Sequence, residues 1–332
     1  MRARSARTGT GPGPRPGPGK AGYTVLFATV LALALLGVLV ATRGAATDGP
    51  LAAGESSGHY AEPEGVGDAA ADAMASAVRT EPGAPGRGAA RAADRGAGRG
   101  TDRGARTDPL PPSSPLEAAP RDPSPAIGPL FYTDQDEPGH GCTASVVHSR
   151  KGDLLVTAAH CVYTDGFHTD VAFAPGYHDG EAPYGVWVPT SIDVDPEWMT
   201  ARDEDHDVAF LRVRQVGTGT RVEDVTGAER IAFHPAVDRP ARVLGYPGEG
   251  ERPLACQSVV RRESASQLRF DCAGLPGGTS GSPLLTDVDA GSGLGTVVGV
   301  LGGKDEGGDD ETSYSSYFGD AAERLYRRAT AG

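Results

Sequence analysis

From about residue 126 onward, short apolar and β-branched runs alternate with polar, turn-forming residues. Ten such runs stand out: CTASVVHS (142–149), DLLVTAAH (153–160), DVAFAP (170–175), GVWVPTSIDV (185–194), DVAFLRV (207–213), ARVLGY (241–246), QSVVRRE (257–263), QLRFDC (267–272), SPLL (282–285) and TVVGVLG (296–302). Clusters such as APGYHDGEAP and GYPGEGERP separate them. Runs of this length bounded by Gly, Pro and Asp predict β-strands, and their frequency leaves little room for βαβ units. Only the tail YFGDAAERLYRRA has helical spacing, with Asp320 placed to cap it and Ala321, Leu325 and Tyr326 on one face. The strands fall into two groups, before and after the polar stretch 215–230. The expectation is an all-β domain over 126–332, and two small barrels fit the count.

Upstream the pattern disappears, with one exception. Residues 21–42, AGYTVLFATVLALALLGVLVAT, carry no charge and follow Arg2, Arg4, Arg7, Arg15 and Lys20. About 20 apolar residues suffice to span a bilayer as a helix. A basic flank of residues 1–20 would stay inside, with everything after Arg43 outside. The small residues after the apolar run also permit a cleaved signal peptide, which would release the chain. Both readings export the C-terminal part, either tethered to the outer face of the membrane through 21–42 or secreted. Residues 43–125 are dominated by Ala, Gly, Pro, Arg and Asp. Such composition predicts a disordered linker, because it buries too little apolar surface to offset chain entropy.

The formal net charge of −13 argues against a general nucleic-acid binder. All four cysteines, Cys142, Cys161, Cys256 and Cys272, lie in the β-rich part. An even number in an exported domain points to disulfides, and order and separation favour 142–161 and 256–272 over the other two pairings. Zinc is the competing use, but neither CxxC nor HxxxH spacing occurs.

Three short motifs carry chemistry. His160 ends a strand in TAAHC, where a bond from Cys161 to Cys142 would hold the loop presenting the imidazole. A general base has to be held in reach of its proton. Asp207 in DEDHDVAFLRV sits where a strand begins, so its carboxylate can turn inward while Asp203, Glu204 and Asp205 stay wet. A buried carboxylate needs a partner, and a histidine N–H supplies one. His206 competes as the base, but its flanks read as exposed loop. Ser280 lies in GGTSGSP, where glycines let backbone N–H groups turn toward one point. Ser282 lacks the glycine two residues before it that would help shape the hole, and is the decoy.

Taken in order, TAAHC, DVAFL and GTSGSP resemble the chymotrypsin-like (trypsin-fold) serine peptidases over about residues 128–330. The order His, Asp, Ser separates that group from the subtilisin-like and α/β-hydrolase arrangements. FAPGY (173–177), VLGYPG (243–248) and GVLGG (299–303) are most similar to its bacterial glutamyl-endopeptidase branch. The resemblance implies two six-stranded antiparallel β-barrels with a C-terminal helix. It makes Ser280 the nucleophile, His160 the base and Asp207 the residue that orients the imidazole. The N–H groups of Gly278 and Ser280 would form the oxyanion hole. Gly274, Val300, Leu301 and Gly302 would line the substrate pocket, with the 300–303 strand pairing with substrate backbone. Peptide hydrolysis of protein or peptide substrates through an acyl-enzyme follows, without metal or cofactor.

Two departures qualify the match. Thr279 stands where many animal relatives carry an aspartate that pairs with a new N-terminus, so that activation switch is not expected. Val300 replaces the histidine of glutamyl endopeptidases, and Gly274 replaces the aspartate of tryptic ones, which leaves the P1 preference open. The alternative function is a catalytically silent protease-fold domain that binds a protein partner outside the cell.

Overall fold

The computed structural model describes residues 51–80, 107, 110–133 and 137–331. The basic N-terminus, the candidate span 21–42 and the Arg-rich stretch 81–106 lie outside the described residues. Among the described residues no helix is long and apolar enough to cross a membrane.

In chain order the strands are β1 (Leu51–Ala52), β2 (His59–Ala61), β3 (Ala119–Pro120), β4 (Ile127–Tyr132), β5 (Gly139–Val147), β6 (Leu154–Thr157), β7 (Phe167–His168), β8 (Val171–Phe173) and β9 (Val188–Val194). They continue with β10 (Ala209–Arg214), β11 (Arg230–Ile231), β12 (Arg239–Gly245), β13 (Leu254–Arg262), β14 (Gln267–Asp271), β15 (Pro283–Thr286), β16 (Thr296–Val300) and β17 (Thr312–Ser316). One sheet runs β2-β9-β10-β6-β5-β4-β8, the other β11-β16-β15-β12-β13-β14-β17, with β3 paired to β13. The fold is mostly β with a few helices, as a double β-barrel would require.

The period of two along each strand explains how these sheets meet. In β5, Cys142, Ala144 and Val146 point into the core of the first sheet, whereas Val147 joins a second cluster. β6 does the same, with Leu155 in the first core and Leu154 and Val156 in the second cluster. Across the molecule, Val243 of β12 and Leu284 of β15 fill the second sheet's own core, while their neighbours Leu244 and Leu285 join the cluster that holds Leu154 and Val156. One apolar seam therefore unites the two sheets, and the ends of β6 and the approaches to β10 and β15 converge beside it.

The ten sequence-read strands all have counterparts. β4 and β17 were not anticipated. β17 reads TSYSS and is buried throughout, with Ser315 and Ser316 satisfied by hydrogen bonds where apolar side chains would be expected. The C-terminal helix spans Asp320–Ala331, but its buried face is Ala322, Leu325 and Ala329, one step round from the face expected.

The linker expectation fails for 51–80 and 110–125. β2 adds to β9 as an edge strand, β1 pairs with β7, and β3 pairs with β13. Between them, Glu64–Ala77 forms a helix whose Gly67, Ala70 and Met74 are buried. These positions are one and two turns apart, so a narrow stripe of small residues seats the helix on Val188. Alanine-rich composition favours a helix once there is a surface to dock on, and composition alone conceals that surface.

Candidate active site

His160 lies in a short 3-10 turn, Ala159–Cys161, immediately after β6. Cys161 is bonded to Cys142 of β5, and Cys256 to Cys272, the two pairings expected from the sequence. The imidazole Nδ1 lies 2.7 Å from Asp207 Oδ2. A carboxylate can only accept, so Nδ1 carries the proton and Nε2 is left with its lone pair. The backbone N–H of His160 also donates to Asp207 Oδ1, at 2.9 Å. Side chain and main chain of the same residue therefore fix the carboxylate in one plane. Trp198, from the helix Pro196–Ala201, tilts over the ring with centroids 6.4 Å apart.

Asp207 is fully buried. Its Oδ2 takes a further hydrogen bond from Gly303 N–H at 2.7 Å, and its own N–H donates to Ser316 Oγ at 3.1 Å. Burial pushes the Asp207 carboxyl up, but the charge of His160 and three hydrogen bonds outweigh it and hold the pKa below the usual range. Burial likewise disfavours charged His160; the charge and hydrogen bond of Asp207, with a smaller push from Glu306, raise it above its ordinary value. His206, the competing base, instead sits 3.3 Å from Asp203.

Ser280 lies in a turn before β15, half-buried, and its hydroxyl makes no hydrogen bond among the described residues. Its surroundings are arranged through the backbone. Gly277 O accepts from Gly248 N–H at 2.8 Å, and Gly278 O accepts from the Thr143 hydroxyl at 3.0 Å. Thr279 O accepts from Ser282 N–H at 3.0 Å, and Ser280 O from Thr143 N–H at 2.7 Å. In a trans peptide the carbonyl and the next N–H point opposite ways. The N–H groups of Gly278 and Ser280 are therefore turned away from the scaffold, and neither is bonded among the described residues. Gly278 sits at φ +97°, and a Cβ there would approach Gly248 N to 2.1 Å, so only glycine fits. Ser282 is completely buried, which removes it as a nucleophile.

The two loops meet. A Cβ on Gly281 would strike Thr157 Oγ1 and Thr143 O, at 2.1 and 2.2 Å, which places Ser280's neighbour against the end of β6 just ahead of His160.

The four proposed pocket residues fare unevenly. Val300 and Leu301 are buried, their side chains in apolar clusters. From Val300 to Lys304 every N–H is already bonded, to Ser315 Oγ, Ser282 O, Tyr314 O, Asp207 Oδ2 and Gln267 Oε1 in turn. Gly302 and its neighbours thus have no N–H left to offer, and Leu301 O already accepts from Gly281 N–H at 2.7 Å. Gly274 is exposed, its N–H bonded to Asp310 O, with the Glu117 side chain beside its Cα. Thr143 and Ser316 were not singled out from sequence, and Gly303 was read only as part of the substrate strand, because a hydroxyl or glycine has no local signal for a role set by a distant loop.

Residues 142–300 match the trypsin-like peptidase domain family. Residues 142–300 therefore form a trypsin-like peptidase domain. There is no significant match among curated proteins. Among solved structures, the protease Anisep from Arthrobacter nicotinovorans is 24% identical, covering 65% of this chain and all of its own, with a TM-score of 0.57. The thermostable serine protease AL20 from an extremophilic microorganism is 28% identical over 63% of this chain and 98% of its own, TM-score 0.54. A Glu endopeptidase in complex with MPD shares the fold at 18% identity, covering 65% of this peptidase and 97% of its own chain, TM-score 0.51. The peptidase is a serine endopeptidase of the chymotrypsin fold.

Proposed function

We propose that the peptidase is exported and cleaves peptide bonds through an acyl-enzyme on Ser280. The observation that carries this reading is the His160–Asp207 pair, 2.7 Å apart beside the Ser280 turn, with the carboxylate fully buried. His160 Nε2 takes the Ser280 proton as the hydroxyl oxygen attacks the scissile carbonyl, and Asp207 stabilises the imidazolium that forms. The N–H groups of Gly278 and Ser280 receive the negative charge on the carbonyl oxygen. The imidazolium then protonates the leaving amine, and a water activated by the same nitrogen releases the acid. The 300–303 backbone, with Gly274 beyond it, forms the substrate wall and receives the peptide through carbonyl oxygens. Two disulfides suit an oxidising compartment, and the basic flank before 21–42 suits an anchor or signal.

The test is covalent labelling of the full chain with a fluorophosphonate. The parent should label and Ser280→Ala should not. Labelling of both proteins would sink the nucleophile assignment, and labelling of neither would put the silent-domain reading ahead.

A further inference from the structure

Thr143 makes four hydrogen bonds around the nucleophile turn and is fully buried. Its N–H donates to Ser280 O at 2.7 Å, and its carbonyl accepts from Thr157 Oγ1 at 2.8 Å. Its hydroxyl accepts from Tyr246 N–H at 2.8 Å and donates to Gly278 O at 3.0 Å. A hydroxyl has one proton, and with Tyr246 N–H occupying an acceptor position that proton goes to Gly278 O. Tyr246 is itself buried, with its phenol bonded to Tyr177 O at 2.8 Å, so the frame that sets this rotor is firm.

We infer that the Thr143 hydroxyl is a positioning group for the oxyanion-binding N–H of Gly278, an inference that rests on the proposed role of Ser280. Gly278 has no side chain to resist rotation, and its two flanking peptide planes are held by different parts of the molecule. Gly248 N–H holds the plane before it, through Gly277 O. The Thr143 hydroxyl holds the plane after it, which leaves only Thr279 N–H to Pro276 O when that hydroxyl is lost. Thr143 also follows Cys142, whose disulfide reaches the residue after His160. One residue thus keeps the nucleophile turn in register with the loop that carries the base.

The measurement uses Thr143→Val, which keeps the shape and removes the hydroxyl, and Thr143→Ser, which restores it. Rates are expressed per fluorophosphonate-labelled site. A misdirected donor should cost less than the ~10²–10³-fold of a missing one, so kcat of Thr143→Val should fall about tenfold with KM little changed. Affinity for a peptide boronic acid should fall in proportion to kcat/KM, since a transition-state analogue needs the same donors. The acid limb of the pH profile, set by His160, should stay in place, and Thr143→Ser should recover most of the loss. A parental kcat per labelled site, an unchanged boronate affinity, or a serine variant as poor as valine would overturn the inference. Failure of Thr143→Val to fold would also overturn it, by assigning the hydroxyl to stability. Labelling of Ser280→Ala would instead sink the nucleophile assignment itself, so the two failures are told apart.

Discussion

The two loops of the proposed active site are held in opposite ways. His160 is gripped through its side chain: Nδ1 on a buried carboxylate, a disulfide on the next residue, and Trp198 over the ring. Ser280 is held through its backbone, every carbonyl from Gly277 to Ser280 bonded and the hydroxyl unbonded. The contrast fits the roles proposed for each. A base works in one tautomer and one orientation, so its ring is fixed. A nucleophile has to move toward its target while the surrounding N–H groups stay still, so the fixing is moved from the side chain to the peptide planes. Removing a side-chain partner should therefore damage the base loop most, and adding a side chain should damage the nucleophile loop most.

Asp207→Asn tests the first half and has the largest expected effect. An amide can donate to Nδ1, which moves the ring proton to Nε2 and leaves no lone pair for the serine. Loss of kcat by about 10⁴-fold is expected from the wrong tautomer, with the disulfides and fold retained. A loss below about tenfold would mean that the carboxylate does not set the tautomer, and the contrast between the loops would collapse.

Gly278→Ala tests the second half. Its Cβ would lie 2.1 Å from Gly248 N at a φ of +97°, so the plane carrying the Gly278 N–H has to turn. Loss of one oxyanion donor predicts a fall in kcat of about 10²–10³-fold. The pH at which activity fails in acid should not change, because His160 is untouched. A defect confined to KM would show that this N–H meets the substrate but not the transition state.

How much of this was legible in the sequence follows the same division. His160, Asp207 and Ser280 stand in motifs that are visible locally, and the two disulfides follow from cysteine order. The positions that hold them are not visible, because their partners are remote: Thr143 and Gly278 are 135 residues apart. β17 escaped notice for a related reason, since Ser315 and Ser316 are buried by bonding Val300 N–H and Asp207 N–H and leave no apolar pattern. The docked helix Glu64–Ala77 shows the opposite error. Its Ala- and Gly-rich sequence reads as linker, yet small residues are what let Gly67 approach Val188. Glu62, just ahead of it, is buried and pushed up to about 8 chiefly by that burial, a sign of how closely this segment is held. The sequence also could not show that the side chains of Val300 and Leu301 turn inward.

The smallest expected effect concerns a charge that belongs to neither loop. Gly307 packs against Gly302, which folds the segment carrying Glu306 toward the His160–Asp207 pair, and the Glu306 charge helps raise the His160 pKa. In its proposed role His160 acts as a base only when neutral, so kcat/KM should fall as the pH drops through its pKa. Removing a negative charge makes the imidazole easier to deprotonate, and Glu306→Gln should therefore shift the acid limb toward lower pH. The shift should be smaller than any produced by Asp207→Asn and should shrink with added salt, because charges beyond about 8–10 Å are screened. Stability should respond with the same sign logic. The folded pKa of His160 lies above its ordinary 6.5, so its pairing stabilises the fold below that pH, and the increment is lost as pH rises through the folded pKa. Glu306→Gln reduces that increment without removing it. A limb that moves upward, or one that does not move at low salt, would show that the base is insulated from the loop over Gly302 and answers to Asp207 alone.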